Sequence, residues 1–138
     1  IEAAVGAARA VAGDFVLTAR AENFVHGIPD LADTIRRLQA FQEAGADVLY
    51  APGLSHIEEV SQLVAAVDRP VNVLARPQWT ISELEEAGVR RISVGGALAS
   101  AAFGAVFTAA QEILNIGSFG YTRDLPHELN LGELFGET

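Results

Sequence analysis

Glu43-Ala44-Gly45-Ala46-Asp47-Val48-Leu49-Tyr50-Ala51 runs from a helix end through a glycine stop directly into a strand. Before Gly45, Leu31, Ile35, Leu38 and Phe41-Gln42, with Ala44, fall on one helical stripe. Glycine just past the last periodic residue is where a helix stops. Asp47 to Ala51 is then mostly apolar on both faces, which suits a buried parallel strand. The same punctuation returns in Glu86-Ala87-Gly88, ahead of Arg91-Ile92-Ser93-Val94. A βα unit is being repeated, at spacing too uneven for a solenoid.

Outward from there the alternation continues. Phe15-Val16-Leu17-Thr18-Ala19 reads as an earlier strand, and it ends abruptly in Arg20-Ala21-Glu22-Asn23. Pro29 suits a first helical position, with Asp30 and Asp33 at the positive end of that helix. Pro52-Gly53 closes the second strand, and Ser55-His56-Ile57-Glu58 reads as a capping box for a helix to about Val67. Pro70-Val71-Asn72-Val73-Leu74 is a third strand, with proline first where no ladder bond is lost. Thr80-Ile81-Ser82-Glu83 is a second capping box, opening a short helix that ends at Gly88. The fourth strand, Arg91 to Val94, stops at Gly95-Gly96, and a helix rich in small residues follows from about Leu98 to Leu114. Upstream, Ile1 to Ala12 reads as a helix with no cap ahead of it, closed by Gly13. The chain opens inside that helix and without Met, so a fragment of a longer protein is expected.

Strands alternating with helices imply a parallel sheet with right-handed crossovers. Two architectures satisfy this: an open doubly wound sheet, or half of a (β/α)8 barrel. A whole barrel takes about 250 residues, and four units in 138 residues is close to half. No G-x-G-x-x-G follows any strand, which removes the usual dinucleotide reading.

Composition narrows the chemistry. The chain carries nine basic residues against 18 acidic ones, for a net charge of -9. That balance argues against nucleic-acid and anionic-membrane partners, whose phosphates need a basic face. All the basic residues are Arg, which excludes a Schiff-base or P-loop lysine within this segment. There is no Cys, hence no thiolate nucleophile and no Cys-ligated zinc. No uninterrupted apolar run approaches about 18 residues. A soluble, cytoplasmic protein is expected.

In either architecture chemistry sits at the carboxyl ends of the strands. That rule selects Arg20, Glu22 and Asn23, then Pro52 and Gly53, then Asn72 and Arg76, then Ser93, Gly95 and Gly96. Arg20 at a strand end can grip a carboxylate or phosphonate with two parallel hydrogen bonds. The structural reading is an Arg20–Glu22 pair that merely seals the mouth. Glu22 can also help hold a metal through water. Asn72 lies among Val71, Val73 and Leu74, where a buried amide needs partners. It either touches a ligand or is a satisfied structural amide. Gly95-Gly96 ahead of a helix can cradle an anion on backbone N–H groups, or simply mark a strand exit. His26, His56 and His127 are scattered without metal-ligand spacing. Tyr50 and Trp79 read as packing residues, and Glu83, Glu85 and Glu86 as a solvated helix face.

These segments resemble the isocitrate lyase / phosphoenolpyruvate mutase superfamily. Phe15 to Glu22 is similar to its fifth-strand "A-R-x-E-A" segment, and Phe41 to Leu49 to its "Y-x-E-A-G-A-D" entry to the sixth strand. Pro70 to Leu74 and Gly88 to Gly96 resemble its seventh and eighth strands. The nearest branch is that of phosphoenolpyruvate mutase or carboxyphosphonoenolpyruvate phosphonomutase-like proteins. The resemblance implies that residues 1–114 are the C-terminal half of a (β/α)8 TIM barrel, with 115–138 a tail packed on the barrel or swapped with a neighbouring subunit. It implies a Mg²⁺-dependent lyase or phosphonomutase that acts on a 2-oxo acid or phosphoenolpyruvate-like substrate through an enolate. Substrate binding would fall to Arg20, Asn72 and Gly95, with Glu22 in the water shell of the metal. The direct Mg²⁺ ligands and catalytic groups would lie upstream of Ile1. Several members carry His or Glu where Pro52 stands, which bears on substrate identity. Expected partners are a small carboxylate or phosphonate, the N-terminal half of the barrel, and further copies of the chain through its last helix and tail. A non-catalytic binding or assembly module with the same fold, or a phosphate-binding barrel of another superfamily, stands beside that reading.

Overall fold

The computed structural model describes residues 1–124 and divides into two compact units, Ile1–Gly95 and Gly96 onward. The first unit runs α1 (Glu2–Ala10), β1 (Thr18–Arg20), α2 (Leu31–Glu43), β2 (Val48–Tyr50), α3 (Ile57–Ala65), β3 (Val71–Leu74), α4 (Ile81–Glu86) and β4 (Arg91–Ser93). The second unit holds α5 (Ala97–Ile116) and a 3₁₀ turn, Gly120–Asp124.

The four strands are all parallel and lie in the order β1-β2-β3-β4. This order decides between the two architectures. A doubly wound sheet reverses its strand order at a switch point; here each crossover simply steps to the next strand. With every crossover of one hand, the crossover helices α2, α3 and α4 fall on one face of the sheet. The strands therefore alternate between a helix-facing row and a free row. Ala19, Leu49, Val71 and Val73 point into a buried cluster with Leu38, Val60, Leu63 and Leu84. Leu38, Leu49, Val60 and Leu63 have no exposed surface at all, and burying each such side chain stabilises the fold by about 1.5–3 kcal/mol.

Two of the helix-to-strand turns, those after α2 and α4, use one device. After α2, the Gly45 N–H bonds the Gln42 carbonyl and the Ala46 N–H bonds the Phe41 carbonyl. After α4, the Gly88 N–H bonds Glu85 and the Val89 N–H bonds Leu84. These are Schellman turns, which need a left-handed residue after the helix cap. Gly88 has φ +83°, and a Cβ there would lie 2.8 Å from Val64 Cγ1.

At the amino ends of the strands, Arg9 grips Asp47 with two bonds of 3.1 and 2.6 Å, and Asp47 also accepts the Leu17 N–H at 2.8 Å. One carboxylate thus ties α1, the approach to β1 and the start of β2. The Arg9 hydrogen bond is the main cause that holds the Asp47 carboxyl below its ordinary value, with the Leu17 N–H second.

Several sequence expectations shift. Phe15 and Val16 do not join β1 and are 51% and 57% exposed. The Leu17 carbonyl accepts both Asp47 and Val48 N–H groups, so pairing with β2 begins there and earlier residues have no partner strand. Arg20 is consequently the last residue of β1 rather than the first of its loop. Pro29 precedes the helix, and Asp30 is the cap of α2, accepting the Asp33 N–H. The box expected at Ser55–Glu58 does not form. His56 is the cap of α3 with no side-chain bond, and Glu59 instead reaches the Ser55 N–H at 3.5 Å. The Thr80–Glu83 box forms in full.

In the second unit, α5 passes through the expected division at 114/115 and stops at Gly117, whose φ is +71°. The Glu112 carboxylate gathers the Ser118 hydroxyl and the Gly120 and Tyr121 N–H groups. No residue of α5 is buried. By length and composition α5 is apolar enough to cross a membrane, so an apolar helix of spanning length is present although no uninterrupted apolar run is. His127, Leu129, Leu131, Leu134 and Phe135 lie outside the described residues.

Two outcomes follow from the turns and the Arg9–Asp47 clamp. In chemical denaturation, Gly88→Ala should cost at least about 1 kcal/mol, because it forces a left-handed alanine. Gly6→Ala, in α1 with open space around it, should add about 0.5–1 kcal/mol; equal effects would contradict the turn assignment. The Asp47 contribution is complete above the ordinary carboxylate range and lost as pH falls through its lowered native value. Asp47→Asn should therefore melt lower at neutral pH and show a shallower acid limb; superimposable pH profiles would remove the clamp.

Candidate functional site

The free face of the sheet carries a second set of side chains. Register aligns Arg20, Tyr50, Asn72 and Arg91 in one row across all four strands. Thr18, Leu74 and Ser93 share that face by the strand's two-residue period. Arg91 of β4 donates to the Thr18 hydroxyl of β1 at 2.9 Å. In a flat sheet these two edge strands would lie about 14 Å apart, further than one arginine extends. The sheet therefore curls toward this face, as a barrel wall does.

The ladder also climbs. β1 pairs with β2 over Thr18–Arg20, whereas β3 pairs with β4 over Asn72–Leu74 and Arg91–Ser93. Arg20 thus ends its strand at the carboxyl rim, while Arg91 begins its strand lower on the wall. The rim holds Arg20, Leu74 and Ser93, with Glu22 just beyond.

Arg20 is about half exposed, lies over the Tyr50 ring at 5.1 Å, and bonds Glu22 through Nε at 2.7 Å. Tyr50, expected as a packing residue, is the platform under this guanidinium. Asn72 is 4% exposed, and its Nδ2 donates to Ser93 Oγ at 3.1 Å. Ser93 in turn donates to the Val73 carbonyl at 3.3 Å. Asn72 Oδ1 is buried with no partner. Turning the amide over would satisfy the oxygen and orphan the nitrogen, so one polar atom stays unmet either way. Such an atom costs about 1–3 kcal/mol, and a ligand or a group from beyond these residues would relieve it.

The loop after β1 is braced from behind. Asn23 donates to Asp33 Oδ2 at 2.7 Å, and Arg37 meets the same oxygen at 2.6 Å. Arg37 first, then Asn23, hold the Asp33 carboxyl below its ordinary value. Asn23 is therefore a strut of the loop. Gly53, at φ +103°, lets that loop approach β2, since a Cβ there would lie 2.6 Å from Phe24 Cβ. A hollow of 160 Å³ lies beside the exit of β1, lined by Glu22, Asn23, His26, Ile28 and Arg37. Pro52 is buried at the exit of β2. Arg76 lies past β3, 6.0 Å from the Trp79 ring, and Trp79 packs on the core cluster as expected. Gly95 follows β4 with φ +55°.

Sequence reasoning placed Arg20 and Glu22 at the exit of the first strand and Asn72 within the third, and Arg20 and Asn72 share one row of the curled face. It missed Tyr50 and Arg91. Arg91 is signalled by the alternation Arg91, Ser93, which puts both on one side of β4. As for a divalent ion, no cluster of three His, Cys, Asp or Glu suited to a metal exists among the described residues. Glu22 is bound to Arg20 at 2.7 Å.

A singly wound, curled parallel sheet with its polar groups at the carboxyl rim defines one wall of a (β/α)8 barrel. The profile of the family described as phosphoenolpyruvate phosphomutase matches residues 1–114, and the chain belongs to that family. A candidate lyase/mutase of Burkholderia cenocepacia J2315 is 47% identical, with a TM-score of 0.88 over 97% of this chain and 49% of that one. Oxaloacetate acetylhydrolase superposes with a TM-score of 0.79 at 26% identity, over 98% of this chain and 47% of that one. An oxaloacetate decarboxylase of Rhodopseudomonas palustris is 34% identical over 91 residues, 64% of this chain and 31% of that one. The chain therefore spans about half, or less, of the relatives it matches, which form a superfamily of lyases and mutases.

Proposed function

We propose that this chain is the C-terminal part of a Mg²⁺-dependent lyase or phosphonomutase whose substrate is a 2-oxo acid or a phosphoenolpyruvate-like compound. The observation that carries the reading is Arg20 at the rim of the curled face, in one row with the unsatisfied amide of Asn72. Arg20 would hold the carboxylate or phosphonate group, resting on Tyr50. Asn72 would give its free polar atom to the ligand. Gly95 would line the exit of β4. Glu22 would orient Arg20 through their 2.7 Å bond and reach the metal only through water. On this reading the Mg²⁺ would be held by carboxylates upstream of Ile1 and would supply charge stabilisation for an enolate. The names of the relatives support carbon–carbon and phosphorus–carbon chemistry alike.

The Arg20–Glu22 pair favours one competing reading, a sealed mouth in a binding or assembly module. Kinetics separate the two. In the whole enzyme, tested on oxaloacetate and phosphonopyruvate, Arg20→Ala should lower kcat/KM by about 10²-fold, the worth of a lost charge-assisted pair. Unchanged kcat/KM would take Arg20 out of the site.

The same proposal includes a homo-oligomer of dimer or tetramer size, built on α5. Leu98, Phe103, Val106 and Phe107 are each more than 60% exposed, more apolar surface than a lone helix keeps in water. Sedimentation velocity should show an assembly larger than one chain, and Phe103→Glu with Phe107→Glu should shift it toward monomer. A monomeric wild type would remove this part.

A further inference from the structure

Arg91 has no assigned role, and its position is unusual. It is the first residue of β4, on the face away from the helices. Its partner there is the neutral Thr18 hydroxyl at 2.9 Å. Among the described residues, the ion pairs are Arg9–Asp47, Arg20–Glu22 and the two arginines on Asp33; Arg91 is in none of them. The ionisable groups sharing its face are Arg20, Glu22 and Tyr50, and Glu22 is held at the rim by Arg20. Thr18, Asn72 and Ser93 around it are uncharged.

The climb of the ladder places Arg91 below the rim, level with the beginning of β1. That layer of a closed barrel is packed core, and the ligand sits above it. A guanidinium enclosed there without an anion would cost several kcal/mol. The chain spans only about half of its relatives, so this face has an opposite wall. We infer that the strands completing the barrel bring an Asp or Glu side chain against Arg91, and that this buried ion pair, steadied by Thr18, joins the two halves below the active site. The inference concerns closure of the barrel and stands whether or not Arg20 binds substrate.

The test uses the whole protein, with Arg91→Met and Arg91→Lys followed by chemical denaturation at pH 7.5 and pH 5, alongside KM. Removing the guanidinium strands a buried carboxylate, whose pKa must then rise. Arg91→Met should lower the folding constant by roughly 10²-fold at pH 7.5 and recover at least tenfold relative to wild type at pH 5, where the carboxyl takes up a proton. KM should not move. Arg91→Lys keeps the charge and should fold at both pH values with a smaller, pH-insensitive deficit, even if Arg91→Met does not fold at pH 7.5. A deficit of equal size at both pH values, or none, would overturn the pair. So would a raised KM at unchanged stability, which would make Arg91 a substrate anion site, or failure of Arg91→Lys to fold.

Discussion

A parallel sheet whose strands follow one another in chain order has only one side for its helices. That constraint governs the rest of this molecule. All the crossovers, α2, α3 and α4, lie against Ala19, Leu49, Val71 and Val73, and the apolar contribution to stability is concentrated in that single layer. The opposite side is left to side chains that do not serve the core. On a closed wall those side chains face one another across a lumen, so polarity there needs a partner or a ligand. Arg20, Asn72 and Arg91 are the polar groups that this geometry lines up.

The two ends of the wall divide the labour. At the amino ends, Asp47 gathers Arg9 and the Leu17 N–H, and the Schellman turns at Gly45 and Gly88 set the angle at which the next strand enters. The Arg9–Asp47 contact is tight and paired in charge. At the carboxyl ends the groups are less satisfied. Arg20 keeps half of its side chain open above Tyr50, and within β3 Asn72 keeps an orphan atom. An open guanidinium at the carboxyl rim is the feature expected of a barrel that binds its ligand there.

Much of the fold, and part of the site, is legible in the residues themselves. The helix-to-strand glycines, Gly45 and Gly88, announce the repeat because a left-handed cap has few other residues to choose from. The strand-end rule finds Arg20, and the intrusion of Asn72 among aliphatics finds a buried amide. What escapes depends on pairing partners rather than on composition. Phe15 and Val16 have strand propensity but no opposite strand, so propensity alone misplaces the start of β1. Ser55 matches a capping pattern, yet the chain turns one residue later and the acidic partner becomes Glu59. Tyr50 and Arg91 gain their meaning only from register across strands, which no single segment encodes. The choice between doubly wound sheet and barrel wall likewise needs strand order, a tertiary fact.

Arg20 meets its ligand, on the proposed function, at the rim of a curled wall. The most direct measurement is a crystal structure of the whole protein with Mg²⁺ and oxalate. Ligand oxygens are expected within about 3 Å of the Arg20 guanidinium, on the face that carries Tyr50 and Asn72. Oxalate bound elsewhere, with Arg20 still closed onto Glu22 and turned to solvent, would contradict it.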